Sequence, residues 1–273
     1  MLLLIGLAIG LILGLTGAGG SVFAVPLLML LAGTPMLEAT GIALGAVAAA
    51  SLFGSLRNRA SGMILWVPGL LLAATGMLSA PIGKWLALQT PPQVLILSFN
   101  ALAVLIALRM GYSAAVNPEQ AQVVRASVHP PVAPGGALCP LSPSGQFQLR
   151  LPCVSGLLMG GALVGLLSGL LGVGGGFLIV PLLLALSPIG MPQAVSTSLV
   201  VITLVSSAGF ISHLTLHQPL DWSLLGLITL GSLLGMALSQ GLAKKIANAR
   251  LQKLFAASLI AVALISSKTL IFP

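Results

Sequence analysis

The residues of this chain best spaced to do chemistry are glycines, and they occur as a set twice. Gly10, Gly14, Gly17, Gly19 and Gly20 precede Pro26, while Gly165, Gly169, Gly172, Gly174 and Gly175, joined by Gly176, precede Pro181. Each member of the first set recurs 155 positions later, which marks an internal duplication. Glycine has no side chain, so what it can supply is bare backbone N–H groups. Both sets interrupt apolar runs. Helices resuming at Ser21 and at Gly176 would aim N-terminal N–H groups and a positive dipole end at each break, which suits an anion. Gly17, Ala18, Gly19, Gly20 and Ser21, with Gly172, Val173, Gly174, Gly175 and Gly176, are therefore the candidate binding residues. Nucleotide fingerprints do not fit: a phosphate loop ends in Lys and Ser or Thr, and a dinucleotide loop needs a preceding strand and an acid about 20 positions on.

Few other side chains qualify. Thr197 and Ser198, beside Ser196, lie just inside an apolar segment and are candidate substrate ligands, with back-bonding to their own helix as the alternative. Glu38, Glu119 and Asp221 are the only acidic residues, and Glu38 alone comes near a membrane segment, where it caps a first turn or couples a proton. The mirror position holds Gln193. His213 and His217 read as loop residues, and no nucleophile, base and acid fall within reach of one another, which argues against an enzyme. Cys139 and Cys153 have no metal-ligand spacing and read as incidental thiols, so neither a metal site nor a cofactor is expected.

The elements that must hold these groups are membrane helices. Hydrophobic residues make up 58% of the 273 and charged ones 5%, against roughly a quarter charged in a soluble domain. A soluble globule is excluded. The net charge of +8 comes from Lys and Arg at segment ends, so it reports orientation in a bilayer and not nucleic-acid binding. Five apolar segments fall in each half: 2–16, 21–33, 37–56, 63–88 and 93–110, then 154–171, 176–187, 192–213, 222–243 and 251–270. Residues 1–110 and 154–273 thus form two membrane repeats, joined by a polar, proline-rich linker at 111–153. The first run lacks a basic flank and has its duplicate in mid-chain, so it is expected to be retained structure, not a cleaved signal.

Fifteen helical residues rise only about 22 Å, against a hydrocarbon core of roughly 30 Å, so the first two segments of each half form a hairpin with the glycine break at its tip. The hairpin returns the chain to its starting side, which leaves an odd number of crossings per half and demands inverted repeats. Charge agrees. Arg57 and Arg59 mark one loop of the first half, whereas Lys244, Lys245, Arg250 and Lys253 mark the next loop of the second. Arg109, Arg125 and Arg150 then put the linker in the cytoplasm, and Lys84 falls in an outside loop as an exception. The more widely spaced glycines Gly6, Gly10, Gly14, Gly156, Gly160, Gly165 and Gly169 are expected to pack helices together. Paired breaks in matching segments point to a transport site, with the anion between the two tips near the bilayer midplane.

The second glycine set with Pro181, followed by Ala194, Thr197, Ser198 and Leu199, resembles the signature of the sulfite exporter TauE/SafE family, and the first set repeats it. The resemblance implies an all-α, multi-pass carrier in the bacterial inner membrane for a small sulfur-containing anion such as sulfite, sulfoacetate or an organosulfonate. Export is the favoured direction. Uptake of the same anions is one alternative, and a non-transporting scaffold whose glycine breaks serve only packing is another. Partners beyond the substrate and the lipid bilayer are left open, a homodimer among them.

Overall fold

The computed structural model describes residues 1–17, 19–91, ten positions within 93–108, residue 139, and residues 151–171, 175–187, 189–216 and 220–243. The expected segment at 251–270 and most of the linker lie outside them. The described elements are helical: α1 (Leu2–Thr16), α2 (Gly19–Ala32), α3 (Met36–Asn58), α4 (Trp66–Gln89), α5 (Leu151–Leu171), α6 (Gly176–Leu186), α7 (Met191–Thr215) and α8 (Trp222–Ala243). No strand occurs among the described residues. Helices α3, α4, α5, α7 and α8 are long and apolar enough to cross a membrane, whereas α1 and α2 are shorter apolar helices.

Local chemistry sets the boundaries. Gly17, at φ 68, closes α1 in the left-handed conformation with its N–H on the Leu13 carbonyl, a backbone state that costs an L side chain roughly 1–2 kcal/mol. Gly33 and Pro35 end α2 and lead into α3. Gly62, at φ 67, closes the short 3-10 turn Arg59–Ser61 before α4. At the start of α7 the Gly190 N–H donates to Gln193 Oε1 at 3.4 Å, which caps the helix from within. Helix α2 begins at Gly19, two residues before the expected Ser21, so the first break is tighter than the second.

Packing follows the duplication. The most extensive pairings are α1 with α8 and α4 with α5, and each is the counterpart of the other under the repeat. The same holds for α3 with α8 and α7 with α4, while α3 packs on its own counterpart α7. Glycine makes the two largest seams. Gly6 lies against Ile228 and Gly231, Gly10 against Ser232, and Gly14 against Met236 and Ser239, so α1 runs parallel to α8. Gly161 lies against Leu72 and Thr75, Gly165 against Gly76, and Gly169 against Ala80 and Lys84, so α5 runs parallel to α4. A methyl group at most of these positions would meet the neighbour's backbone. The expected packing role therefore holds for Gly6, Gly10, Gly14, Gly165 and Gly169, while Gly156 and Gly160 face Leu186 and Leu182 of α6.

The central pair runs antiparallel. Gly41 lies on His213, Gly45 on Phe210 and Gly54 on Leu199, and Thr203 Oγ1 donates to Ser51 Oγ at 3.0 Å midway along. Outside this core the large apolar side chains turn outward: Leu78 is 76% exposed and Met159 75%. Such a belt is stable only against lipid, because in water it would be an unusually large apolar patch. The protein is thus an all-helical, multi-pass membrane protein.

The cysteines correct an expectation. Cys139 and Cys153 are joined in a disulfide with both residues fully buried, and the Cys139 N–H donates to the Leu186 carbonyl at the end of α6. The bond ties the linker to the start of α5, a pairing that thiol spacing alone does not disclose.

Candidate functional site

The first glycine break docks on the start of α7. Gly17 lies against Val195, where a Cβ would come within 2.6 Å of the valine side chain, and its carbonyl accepts a hydrogen bond from Ser198 Oγ at 2.8 Å. Ser198 Oγ also lies 2.8 Å from the Val195 carbonyl, so its single hydrogen is engaged by protein. Ser198 holds the break in place. Thr197 differs: its Oγ1 accepts from the Leu65 N–H at 3.0 Å, and its own hydrogen has no acceptor among the described residues. Ser196 Oγ likewise accepts, from Asn58 Nδ2 at 3.5 Å. Thr197 is fully buried and Ser196 nearly so. The result is a buried wall of neutral donors, with no carboxylate among the described residues, which suits an anion better than a metal cation. No group of His, Cys, Asp or Glu able to hold a metal occurs among the described residues.

Asn58 and Leu65 belong to this wall and were not singled out from sequence. Asn58 sits at a helix end between Arg57 and Arg59, where an amide reads as a cap, and Leu65 contributes only backbone. Gly20 has another role. It packs on Leu13 and the Ile9 carbonyl, closing the α1–α2 hairpin. Ala18, Gly172, Val173 and Gly174 lie outside the described residues, as do the side-chain surroundings of Gly19 and Ser21. Gly176 opens α6, and Gly175, at φ 64, precedes it against Val164 and Ser168.

The two breaks do not converge on a midpoint, contrary to the sequence-based expectation. The first is level with Leu65, where α4 begins. The second follows Gly169, whose neighbours are Ala80 and Lys84 near the end of α4. Those levels are nineteen residues apart along one helix, about 28 Å at 1.5 Å per residue. The cause is parallel packing: α1 and α5 each run beside a full-length helix and carry the chain nearly across before breaking.

Two further side chains depart from expectation at the second end. His213 is no loop residue. It lies inside α7, fully buried, with its ring against Gly41. Under the duplication it is the counterpart of Asn58, so the two ends of the α3–α7 seam carry matched polar residues. Lys84 lies within α4 and is only 2% exposed. The outside-loop position expected from sequence is therefore not where Lys84 lies. His217 lies outside the described residues. Glu38, in the first turn of α3, accepts from the Asp221 N–H at 3.1 Å, and Asp221 in turn caps the Ser223 and Leu224 N–H groups of α8.

Comparison with known proteins agrees with this architecture. The family model described as sulfite exporter TauE/SafE matches residues 2–265. A probable membrane transporter protein of Xylella fastidiosa (strain 9a5c) is 29% identical over 263 residues, covering 94% of this chain and 90% of the relative. A second probable membrane transporter protein, from strain Temecula1, is 29% identical over 261 residues with the same coverage. No solved structure matches the chain.

Proposed function

The chain belongs to the sulfite exporter TauE/SafE family of membrane transporters, and on that premise we propose that it is a secondary transporter exporting a small sulfur-containing anion, such as sulfite, sulfoacetate or an organosulfonate, across the bacterial inner membrane. The observation that carries this reading is the carboxylate-free donor wall at the first break. There Thr197 and Ser196 retain hydroxyl hydrogens beside a backbone unwound at Gly17. In this reading Gly17, whose own N–H is held by the Leu13 carbonyl, opens the break, and Ala18, Gly19 and Ser21 present backbone N–H groups to the anion. Thr197 donates to it, while Ser198 and Gly20 hold the break in shape. Gly172, Val173, Gly174, Gly175 and Gly176 do the same at the opposite end.

The repeats are read as inverted, with residues 1–110 and 154–273 on either side of a cytoplasmic linker at 111–153. The antiparallel pairing of α3 with its counterpart α7 supports this, because equivalent spanning helices run in opposite directions only when one repeat is turned over. An anion then passes from one break to the other along the α3–α7 seam. Glu38, on the face opposite Arg57, is the candidate proton-coupling group. Purified protein is expected to be thermally stabilised by millimolar sulfite or sulfoacetate, since a ligand of the native state raises its stability. Gly19→Val or Gly174→Val should abolish that shift, because a β-branched side chain would stand over the backbone N–H groups that this reading gives to the anion. A shift that survives both substitutions would remove the breaks from the binding site.

A further inference from the structure

Lys84 is a charged group that the reading above leaves without a task. It sits in the penultimate turn region of α4 with 2% of its surface exposed, and no hydrogen bond or ion pair to it occurs among the described residues. Of the three acidic residues in the chain, Glu38 and Asp221 are engaged with each other across α3 and α8. A lysine near a helix end ordinarily snorkels to the membrane surface, with its stem along the lipid. This one does not.

Helix geometry shows where it lies. At 100° per residue Lys84 lies at the edge of the side of α4 that carries Ala73, Ala80 and Gly69, with exposed Leu70 flanking it and Leu78, Ile82 and Trp85 farther round on the exposed side. Gly69 and Gly76 on that inner side face Thr197 and Val201, then Val205, of α7, so α4 and α7 ascend together. Continued to Lys84, the register reaches the level of His213. The backbone of Lys84 meets Gly169 on α5, one turn before the second glycine break, and Ser168 lies beside Gly175 on the far side of that break. An enclosed lysine, a buried histidine, Ser168 and the left-handed Gly175 thus lie at one end of the bundle, where Glu38 and Asp221 are engaged with each other on α3 and α8 and neither is paired with the lysine.

A lysine enclosed in an apolar interior, with no counter-ion among the described residues, is costly unless a ligand supplies the opposite charge. We infer that Lys84 is the charged receptor for a small oxyanion bound near Gly175, between α4, α7 and the start of α6. The two ends of the path are then chemically unequal: neutral donors at Thr197 and Ser196, a cation at Lys84. An anion is held more tightly at the Lys84 end. This inference rests on the transport reading for the identity of the anion, but not for the presence of an anion site.

Binding to the purified protein, followed by thermal shift and calorimetry, tests it with sulfite, sulfoacetate and benzenesulfonate, alongside phosphate, nitrate and acetate as anions without sulfur. Lys84→Met is expected to weaken the best-bound anion at least tenfold, and Lys84→Arg to restore most of the loss. Because Lys84→Met removes a charge from an apolar core, it should fold, with unchanged or raised thermal stability. In the unmodified protein the same anion should protect Lys84 from a small amine-acylating reagent, read by peptide mass spectrometry, so the test survives a variant that fails to fold. Lys84-dependent binding of a sulfur-free anion alone would keep this site and overturn the substrate class. Sulfonate binding that is equal in Lys84→Met, with no protection of Lys84, would overturn the site and keep the substrate class. Binding of no anion at all would overturn both.

Discussion

Ser198 and Gly17 stand 181 positions apart in the chain, yet Ser198 Oγ donates to the Gly17 carbonyl at 2.8 Å in the buried interior. The bond joins the two repeats at the point where the backbone leaves the helix. A carbonyl freed by the end of α1 would otherwise lack a partner in an apolar setting. Ser198→Ala should therefore cost about 1 kcal/mol or less, the range measured for hydrogen bonds between membrane helices. It should lower anion affinity more than it lowers stability, because it loosens the break without touching the ligand. Unfolding in detergent compared with binding separates the two. Equal loss in both would make Ser198 merely structural.

Gly17 and Gly33 share a left-handed backbone, at φ 68 and 64, but not their surroundings. Val195 crowds Gly17, whereas nothing lies within 4 Å of a Cβ at Gly33. Gly33→Ala should cost only the backbone strain of about 1–2 kcal/mol. Gly17→Ala should cost clearly more and should also impair transport. Parallel denaturation of the two variants is the check, and equal losses would mean that Val195 yields freely.

The elements were legible because Gly, Pro and Asn interrupt otherwise unbroken apolar runs, and such punctuation is local. Gly33 to Pro35 and Gly190 to Pro192 mark the helix ends within a residue or two. The duplication was legible because glycine tolerates no substitute where backbones touch, as at Gly10 and Gly165. What was not legible depends on partners distant in the chain. Lys84 in an apolar run reads as a segment end, and only the packing of α4 on α5 and α7 places it inside. The depth of each break is set by how far α1 slides along α8, which a short hydrophobic run does not reveal. His213 followed the same pattern, since only Gly41 across the seam makes room for its ring.

Glu38 accepts a hydrogen bond from the Asp221 N–H through one oxygen, an interaction that glutamine can keep. Glu38→Gln should leave stability within about 0.5 kcal/mol of the parent, as for most surface changes. If the carboxylate couples protons, flux in the variant should lose its response to an imposed pH gradient. Unchanged response would leave Glu38 only the capping role.

Orientation makes a sharp test, because the disulfide and the basic residues pull in opposite directions. Arg57, Arg59, Lys244, Lys245, Arg250 and Lys253 favour the cytoplasm for the face that carries the linker, whereas disulfides persist in oxidising compartments. With the linker cytoplasmic, Cys139 and Cys153 should run as free thiols when cells are quenched with a thiol-blocking reagent, and should join on isolation. A cysteine placed at Gln218 in a Cys139→Ser, Cys153→Ser background should react with an impermeant maleimide in intact cells. A disulfide in quenched cells, with Gln218→Cys unreactive, would reverse the orientation.

The most direct test of anion transport is flux through the purified protein in sealed liposomes loaded with labelled sulfite or sulfoacetate. Efflux should be saturable, accelerated by the same anion outside, and insensitive to sodium or potassium chloride at equal ionic strength. It should also fall at least tenfold in Gly19→Val and in Lys84→Met, while Gly33→Ala retains it. Efflux no faster than from protein-free liposomes, across the sulfur anions and at either membrane potential, would contradict transport of this class outright.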